Sequence, residues 1–178
     1  MKRTGRSAGS AGDVAYRVGL GFDSHRYIAG RPLVLGGVKI PFLLGLDGHS
    51  DADALIHAVM DAVLGAAGRG NIGERFPDDD PAYEGADSAS LLRAVWDELA
   101  ADGYRVINLD CVVVAEKPRL NDHVAAMRRR LGEILGVSPA RVNVKPKTAE
   151  GLGSYGRGEG LAATAVVLLA APMDSRAE

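Results

Sequence analysis

Asp23, His25 and His57 are the residues of this chain whose types best suit a metal ion. In Asp23-Ser24-His25 the outer residues lie two apart, and on an extended chain residues two apart point to the same side. A carboxylate and an imidazole can then face one point, with His57 as a third ligand. Two histidines and one carboxylate with an open position form a catalytic zinc set. Asp53 lies four residues before His57 and Asp61 four after, so the three share a face if the segment is helical. Either carboxylate can accept the other ring N–H of His57 and fix its tautomer. His49 stands immediately before Ser50. The amides of a helix starting at Ser50, together with that imidazole, suit a phosphate. Asp51 and Asp53 bring negative charge there, which a metal would offset.

A second group lies near the C-terminus. Lys145, Lys147, Thr148 and Glu150 follow one another along an extended stretch. A hydroxyl with basic neighbours can hold phosphate oxygens, and a carboxylate can hold Mg²⁺. Gly151, Gly153 and the run Gly156-Arg157-Gly158-Glu159-Gly160 allow close approach of backbone to ligand.

These groups need elements to position them. A strand over 17–22 leaves Asp23 and His25 just beyond its end. Leu33-Val34-Leu35 and Val38-Lys39-Ile40 flank Gly36-Gly37, the signal of a two-residue hairpin, which Pro41 ends. Residues 44–48 read as a loop. Ser50-Asp51-Ala52-Asp53 has the form of a capping box, which predicts a helix from Ser50. Leu55, Val59 and Val63, widened by Ile56, Met60 and Leu64, give it an apolar face, and Gly68-Arg69-Gly70 stops it. Residues 71–85 form a long loop rich in Pro, Gly and Asp, the kind that is usually functional or mobile. Asp87 or Ser88 caps a helix over 89–101 that turns Leu91, Leu92, Val95, Trp96 and Leu99 inward. A largely apolar strand over 104–115 and a helix over about 122–135 follow. The Arg128-Arg129-Arg130 run of that helix reads as a solvated face. Strands over 142–144 and 161–169 complete an α+β order, one sheet with helices packed on one face. The expected division is a mobile leader over 1–13, one domain over 14–171 and a tail over 172–178.

The bulk properties narrow the partners. The chain has 178 residues, 47% of them hydrophobic and 25% charged, which suits a single globular domain. A net charge of −2 offers no field for nucleic acid or an anionic membrane. A phosphate ligand must therefore be held by local groups. The leader has no apolar core of the secretory kind, and the apolar run 161–171 is too short to span a bilayer. Cys111, the one cysteine, sits in an apolar run as a buried strand residue rather than a nucleophile. The expected protein is soluble and cytoplasmic.

Several long stretches resemble the 2-C-methyl-D-erythritol 2,4-cyclodiphosphate synthase family, from about Arg17 to Leu169. Gly21-Phe22-Asp23-Ser24-His25 is similar to its first metal motif. The run from His49 to Ala66, which opens His49-Ser50-Asp51-Ala52-Asp53-Ala54-Leu55-Ile56-His57, resembles its signature helix. Asn71-Ile72-Gly73, Phe76-Pro77-Asp78-Asp79-Asp80-Pro81 and the 156–160 run match in the same order.

The resemblance implies a homotrimer with active sites at subunit boundaries. It implies Zn²⁺ on Asp23, His25 and His57, with Ser24 in the same motif. His49 and Ser50 would meet substrate phosphates, His49 helping to place the reacting groups. Phe76, Pro77, Asp78, Asp79 and Asp80 would line the methylerythritol side, and Asn71, Ile72 and Gly73 would approach the ribose from a neighbouring subunit. Ala115, Glu116, Lys117, Pro118, Arg119, Leu120 and Asn121 would wrap the cytosine. Lys147, Thr148, Ala149 and Glu150 would bracket the diphosphate, Thr148 stabilising the transition state and Glu150 holding a second ion, Mg²⁺ or Mn²⁺. Arg157 would point to the trimer axis, where it meets either Glu159 or a phosphate or isoprenoid diphosphate. Four positions depart from the family's pattern: Asn71 stands where an aspartate is expected, Lys147 and Ala149 flank Thr148 where hydroxyl residues are frequent, and Ser154 replaces an aromatic. The rival readings are a zinc hydrolase, whose metal-bound water attacks a phosphate, and a trimeric binding protein without turnover.

Overall fold

Gly19 and Gly21 decide how closely the main helix can lie on the sheet. A Cβ at either position would come within 1.9 Å of a carbonyl oxygen, that of Ala62 or Ala58. The helix answers with Ala54, Ala58, Ala62 and Ala66, small residues four apart and all buried. Glycine on the strand and alanine on the helix thus let the two backbones approach.

The computed structural model describes residues 14–77 and 79–172. The leader over 1–13, Asp78 and the tail beyond Pro172 lie outside the described residues. The strand carrying the glycines is β1 (Ala15–Ala29). A hairpin of β2 (Leu33–Leu35) and β3 (Val38–Ile40) follows, then β4 (Leu44–Leu46), α1 (Ala54–Ala67) and the short α2 (Ile72–Arg75). Next come α3 (Ser88–Ala101), β5 (Arg105–Val114), α4 (Val124–Leu135), β6 (Val142–Lys147), the short α5 (Gly153–Gly156) and β7 (Gly160–Ala171).

The sheet order is β4-β1-β7-β5-β6. β1 and β7 run antiparallel from Ala15↔Ala171 to Arg26↔Gly160. β5 and β6 are parallel, so the chain must cross over between them, and α4 makes that crossing. The helices cover one face, as expected for α+β. Leu55, Ile56, Met60, Leu64, Leu92, Leu131 and Leu169 are fully buried there, each worth about 2 kcal/mol of apolar burial. The opposite face of β1 presents Tyr16, Val18, Leu20 and Phe22, each more than half exposed.

Several boundaries differ from the sequence-based expectation: the strand from Val142 runs to Lys147 rather than ending at Val144, the loop over 71–85 contains α2, and three further differences bear on the site. β1 runs seven residues past Phe22, so Asp23 and His25 lie inside the strand. Polar residues continue it because β7 pairs as far as Gly160, where a Cβ would come within 2.3 Å of the His25 carbonyl oxygen. Residues 44–46 are a strand, short and at the sheet edge, paired to Tyr27–Ala29 of β1. The capping box at Ser50 does not form. α1 starts at Ala54, and Asp53 is its cap, accepting from the Ile56 amide at 3.0 Å. The same fully buried carboxylate accepts from the amides of Gly36 (2.9 Å) and Gly37 (2.7 Å). Both glycines have positive φ, as a two-residue hairpin turn of this type requires. Hairpin turn and helix start are thus fastened by one side chain. The start of α1 is buried among core residues, so its amides form no phosphate site near His49.

Arg128 corrects the reading of its run as a wholly solvated face. Its guanidinium donates to the carbonyls of Val142 (2.7 Å) and Pro139 (3.0 Å), tying α4 to the start of β6. Cys111 is buried and unpaired, and burial pushes its thiol up to about 12, which leaves no nucleophilic thiolate near neutral pH.

Candidate metal centre and flanking clefts

Strand alternation sends the side chains of Asp23 and His25 to one side of β1, against α1. His57, one turn into α1, completes the group. Asp23 Oδ2 lies 2.8 Å from His25 Nε2 and 3.0 Å from His57 Nδ1, and the two ring nitrogens are 3.3 Å apart. Asp23 Oδ1 accepts from the Ser24 amide at 2.8 Å, which aims Oδ2 at the histidines.

The donor set fits a divalent cation. His25 Nδ1 lies 2.6 Å from the Asp47 carbonyl oxygen, which can only accept, so Nδ1 carries a proton and Nε2 of the neutral ring offers a lone pair. That lone pair faces a carboxylate oxygen and another ring nitrogen. A cation between the three relieves the contact, and in its absence a shared proton must. The spacings approach the roughly 3.3 Å edge of a tetrahedron with zinc–nitrogen bonds. Burial opposes ionisation of Asp23, yet the hydrogen bonds from His25 and His57 prevail and hold it well below the usual carboxylate range. Burial likewise opposes charging of His25, but the Asp23 carboxylate and the Asp47 carbonyl raise it. Among the described residues, Asp23, His25 and His57 are the one cluster of three such ligands close enough for an ion.

The expected partners of His57 are corrected. Asp53 is held by the Gly36, Gly37 and Ile56 amides, and burial raises its pKa against them. Asp61 accepts from the Ile72 amide at 2.8 Å and so fixes α2 against α1. The ring is met instead by hydroxyls: His57 Nε2 lies 2.9 Å from Ser88 Oγ and 3.2 Å from Ser50 Oγ. The sequence offers Ser88 only as a helix cap. Its contact with His57 joins residues 31 apart in sequence, and no local pattern announces it.

The triad opens into a cleft of about 200 Å³ lined also by Phe22, Gly48, His49, Ser50, Asp61, Ile72, Gly73, Phe76, Tyr83 and Leu91. Arg31 donates to the carbonyls of Gly48 and Ser50 and so shapes the turn that presents His49. His49 Nε2 donates to the Asp80 carbonyl at 3.1 Å. Phe76 packs edge-on against Tyr83. Pro77 and Asp79 are exposed beside this loop, and the Asp80 carboxylate caps the turn at Ala82. Asn71 caps α2 through the Glu74 amide and does not line the cleft.

A second cleft of about 290 Å³ gathers Ala115, Glu116, Pro118, Arg119, Leu120 and Asn121 with Pro146, Lys147 and Thr148. Thr148 Oγ1 donates to Glu150, and Glu116 accepts from the Ala149 amide. Tyr27 donates to the Lys117 carbonyl, outside this cleft. No residue lines both clefts. Ser24 and Ser154 meet in a third hollow, beside Tyr155 and Glu159. Arg157 is exposed and donates to its own Glu159 at 2.7 Å.

Comparison with known proteins gives the chain its relatives. Residues 16–170 match the model of the YgbB family. The 2-C-methyl-D-erythritol 2,4-cyclodiphosphate synthase of Symbiobacterium thermophilum is 57% identical over 153 residues, 86% of this chain and 98% of that protein. The protein of the same name from Halalkalibacterium halodurans is 54% identical over the same share of each chain. A solved CDP-bound form of 2C-methyl-D-erythritol-2,4-cyclodiphosphate synthase superposes with a TM-score of 0.78 at 39% identity, covering 86% of this chain and 99% of that one. The bifunctional IspDF of Campylobacter jejuni superposes with a TM-score of 0.86 at 41% identity, over 90% of this chain but 43% of that one. On the family match and these relatives together, the chain belongs to the YgbB family.

Proposed function

We propose that this protein converts 4-diphosphocytidyl-2-C-methyl-D-erythritol 2-phosphate to 2-C-methyl-D-erythritol 2,4-cyclodiphosphate and CMP, a step of the non-mevalonate isoprenoid pathway. The observation that carries the reading is the Asp23/His25/His57 cluster at the head of one cleft, in a chain 57% identical to a protein of that name. In the reaction an oxygen of the 2-phosphate bonds to the β-phosphorus. The bond from that phosphorus to the bridging oxygen breaks, and CMP leaves with that oxygen. The class is a phosphorus–oxygen lyase.

The nucleophile is already an anionic oxygen, so the difficulty is to align and neutralise two polyanions. Asp23, His25 and His57 would hold Zn²⁺ and Glu150 would hold Mg²⁺ or Mn²⁺, and the ions would supply positive charge to the phosphate oxygens when bound. His49 and Ser50 line the metal cleft, where each can donate to a phosphate oxygen. Phe76 gives the cleft an apolar wall for the methylerythritol unit, and Ile72 and Gly73 line the same cleft, where they can meet the ribose. Thr148 and Lys147 border the second cleft, where the hydroxyl and the ammonium can hold the diphosphate while the 115–121 loop encloses cytosine. The CDP carried by the solved relative supports a cytidine ligand. Product analysis with defined substrate, Zn²⁺ and Mg²⁺ tests the assignment. Cyclic diphosphate and CMP in equal amounts are expected. An opened phosphate would mean a hydrolase, and no turnover a binding protein.

The functional unit in this reading is a homotrimer in the cytoplasm. The apolar stripe Tyr16, Val18, Leu20 and Phe22 supports assembly, because a monomer seldom leaves such a row in water. Among the described residues no helix is long and apolar enough to cross a membrane. The separation of the two clefts supports sites completed by a neighbouring subunit. Mixing inactive His57→Ala and Thr148→Ala chains and allowing subunit exchange should restore activity, because some mixed sites carry neither lesion. No recovery after proven exchange would place each site within one chain. A phosphate or isoprenoid diphosphate near Arg157 is the finer reading of the axis. Its competitor is the Arg157–Glu159 ion pair, already formed within the single chain.

A further inference from the structure

We propose that Ser88, oriented by Asp51, is a positioning residue that fixes the tautomer of His57 and so sets the metal affinity of the triad. This rests on the reading of Asp23, His25 and His57 as metal ligands. His57 Nδ1 is the nitrogen turned to Asp23 and His25, so it must present a lone pair to an ion. Nε2 must then carry the ring proton, and that proton needs an acceptor. Ser88 Oγ is 2.9 Å away and 0% exposed. A hydroxyl can accept or donate, so by itself it does not choose between the tautomers.

Asp51 makes the choice. Its Oδ1 accepts the Ser88 hydroxyl proton, and its Oδ2 lies 3.3 Å from the Ser88 amide. The Asp53 amide donates to Oδ1 as well, at 3.2 Å. Asp51 is thereby held on three sides, and a carboxylate can only accept. The hydroxyl hydrogen points to Asp51 and leaves an oxygen lone pair for His57 Nε2–H. The chain of donors runs one way: His57 Nε2–H to Ser88 Oγ–H to Asp51. Reversing it would turn the Ser88 hydroxyl to His57 Nε2, leave the half-buried Asp51 carboxylate without its hydroxyl donor and put the ring proton on Nδ1, where the ion must bind. Ser50 Oγ is farther from the same nitrogen, 3.2 Å, and already accepts from the Ala52 amide. It remains able to turn into the cleft. The turn that brings Asp51 to Ser88 passes through Ala52 at φ +57, a conformation an alanine adopts only when its surroundings hold it there.

The test is a zinc titration against a chromophoric chelator, with thermal melting of the metal-free proteins as a fold control. Wild type, Ser88→Ala, Asp51→Asn, the double variant and His57→Ala are compared. Asp87 still caps α3 in Ser88→Ala, so the helix start should survive. Ser88→Ala should weaken zinc by about 10- to 100-fold, the usual cost of losing a ligand's hydrogen-bond partner. Asp51→Asn should weaken it in the same direction, and the double variant no further than Ser88→Ala alone, because Asp51 acts through Ser88. Asp51→Asn carries the test by itself if Ser88→Ala does not fold. Unchanged zinc affinity in the variants, against tight binding by wild type and loss in His57→Ala, overturns the role of Ser88 and leaves the metal reading standing. Equal, weak binding by wild type and His57→Ala overturns the metal reading, and this proposal with it.

Discussion

His57→Ala is expected to lower zinc from about one ion per chain to trace levels and to reduce kcat by ~10²-fold or more, with the fold kept. The ligand set has three protein atoms, and His57 Nδ1 closes it from the helix side, 3.0 Å from Asp23 and 3.3 Å from His25. Without it, two neighbouring ligands on one strand remain, and neither can span the gap to α1. The fold should survive for a local reason. The His57 ring faces the cleft, whereas Ile56, Ala58, Val59 and Met60 carry the packing of that turn. Alanine is the best helix former, and the ring takes with it its hydrogen bonds and one edge-on contact with the His25 ring. Ser88 and Ser50 lose a partner but keep Asp51 and the Ala52 amide. Elemental analysis of purified variant and wild type, with melting curves, checks this. Unchanged zinc in the variant would remove His57 from the metal centre.

The sequence made the candidate metal triad legible because β-strand alternation is a short-range rule. Asp23 and His25 share a side whether they lie beyond a strand or within it, so the pairing held although the strand end did not. Gly36-Gly37 was equally readable, because the turn demands positive φ at both residues. The partners of those ligands were not readable. Asp47 presents a backbone carbonyl, which every residue type has. Ser88 reaches His57 from another helix, and Asp53 has the right spacing for His57 but a stronger claim from three backbone amides. The start of α1 was misplaced for the same cause. Ser50 and Asp53 fit a local capping pattern, but Ser50 Oγ accepts from Ala52 and lies near His57 and Ser88. Edge strand 44–46 has three residues, one of them glycine, too short for any period to show.

Thr148 gives the most direct test of the proposed nucleotide cleft. The side chain is exposed at the rim of the second cleft, just past the end of β6. Its one hydrogen bond in the free chain is donated to Glu150, a residue at φ +52. Thr148 makes no part of the core, so Thr148→Ala should leave the melting temperature nearly unchanged, within the small range of exposed substitutions. Its hydroxyl can turn from Glu150 to a phosphate oxygen, and a donor that follows charge developing in the transition state raises kcat rather than substrate affinity. Losing one such donor costs ~10²-fold in kcat. Thr148→Ala should therefore lower kcat by that factor while KM moves little, and Thr148→Ser, which keeps the hydroxyl, should recover most of the loss. Lys147 and Ala149 provide no neighbouring hydroxyl to take over. A raised KM with kcat intact would make Thr148 a ground-state contact, and near-wild-type kcat at saturating substrate would take it out of the mechanism altogether.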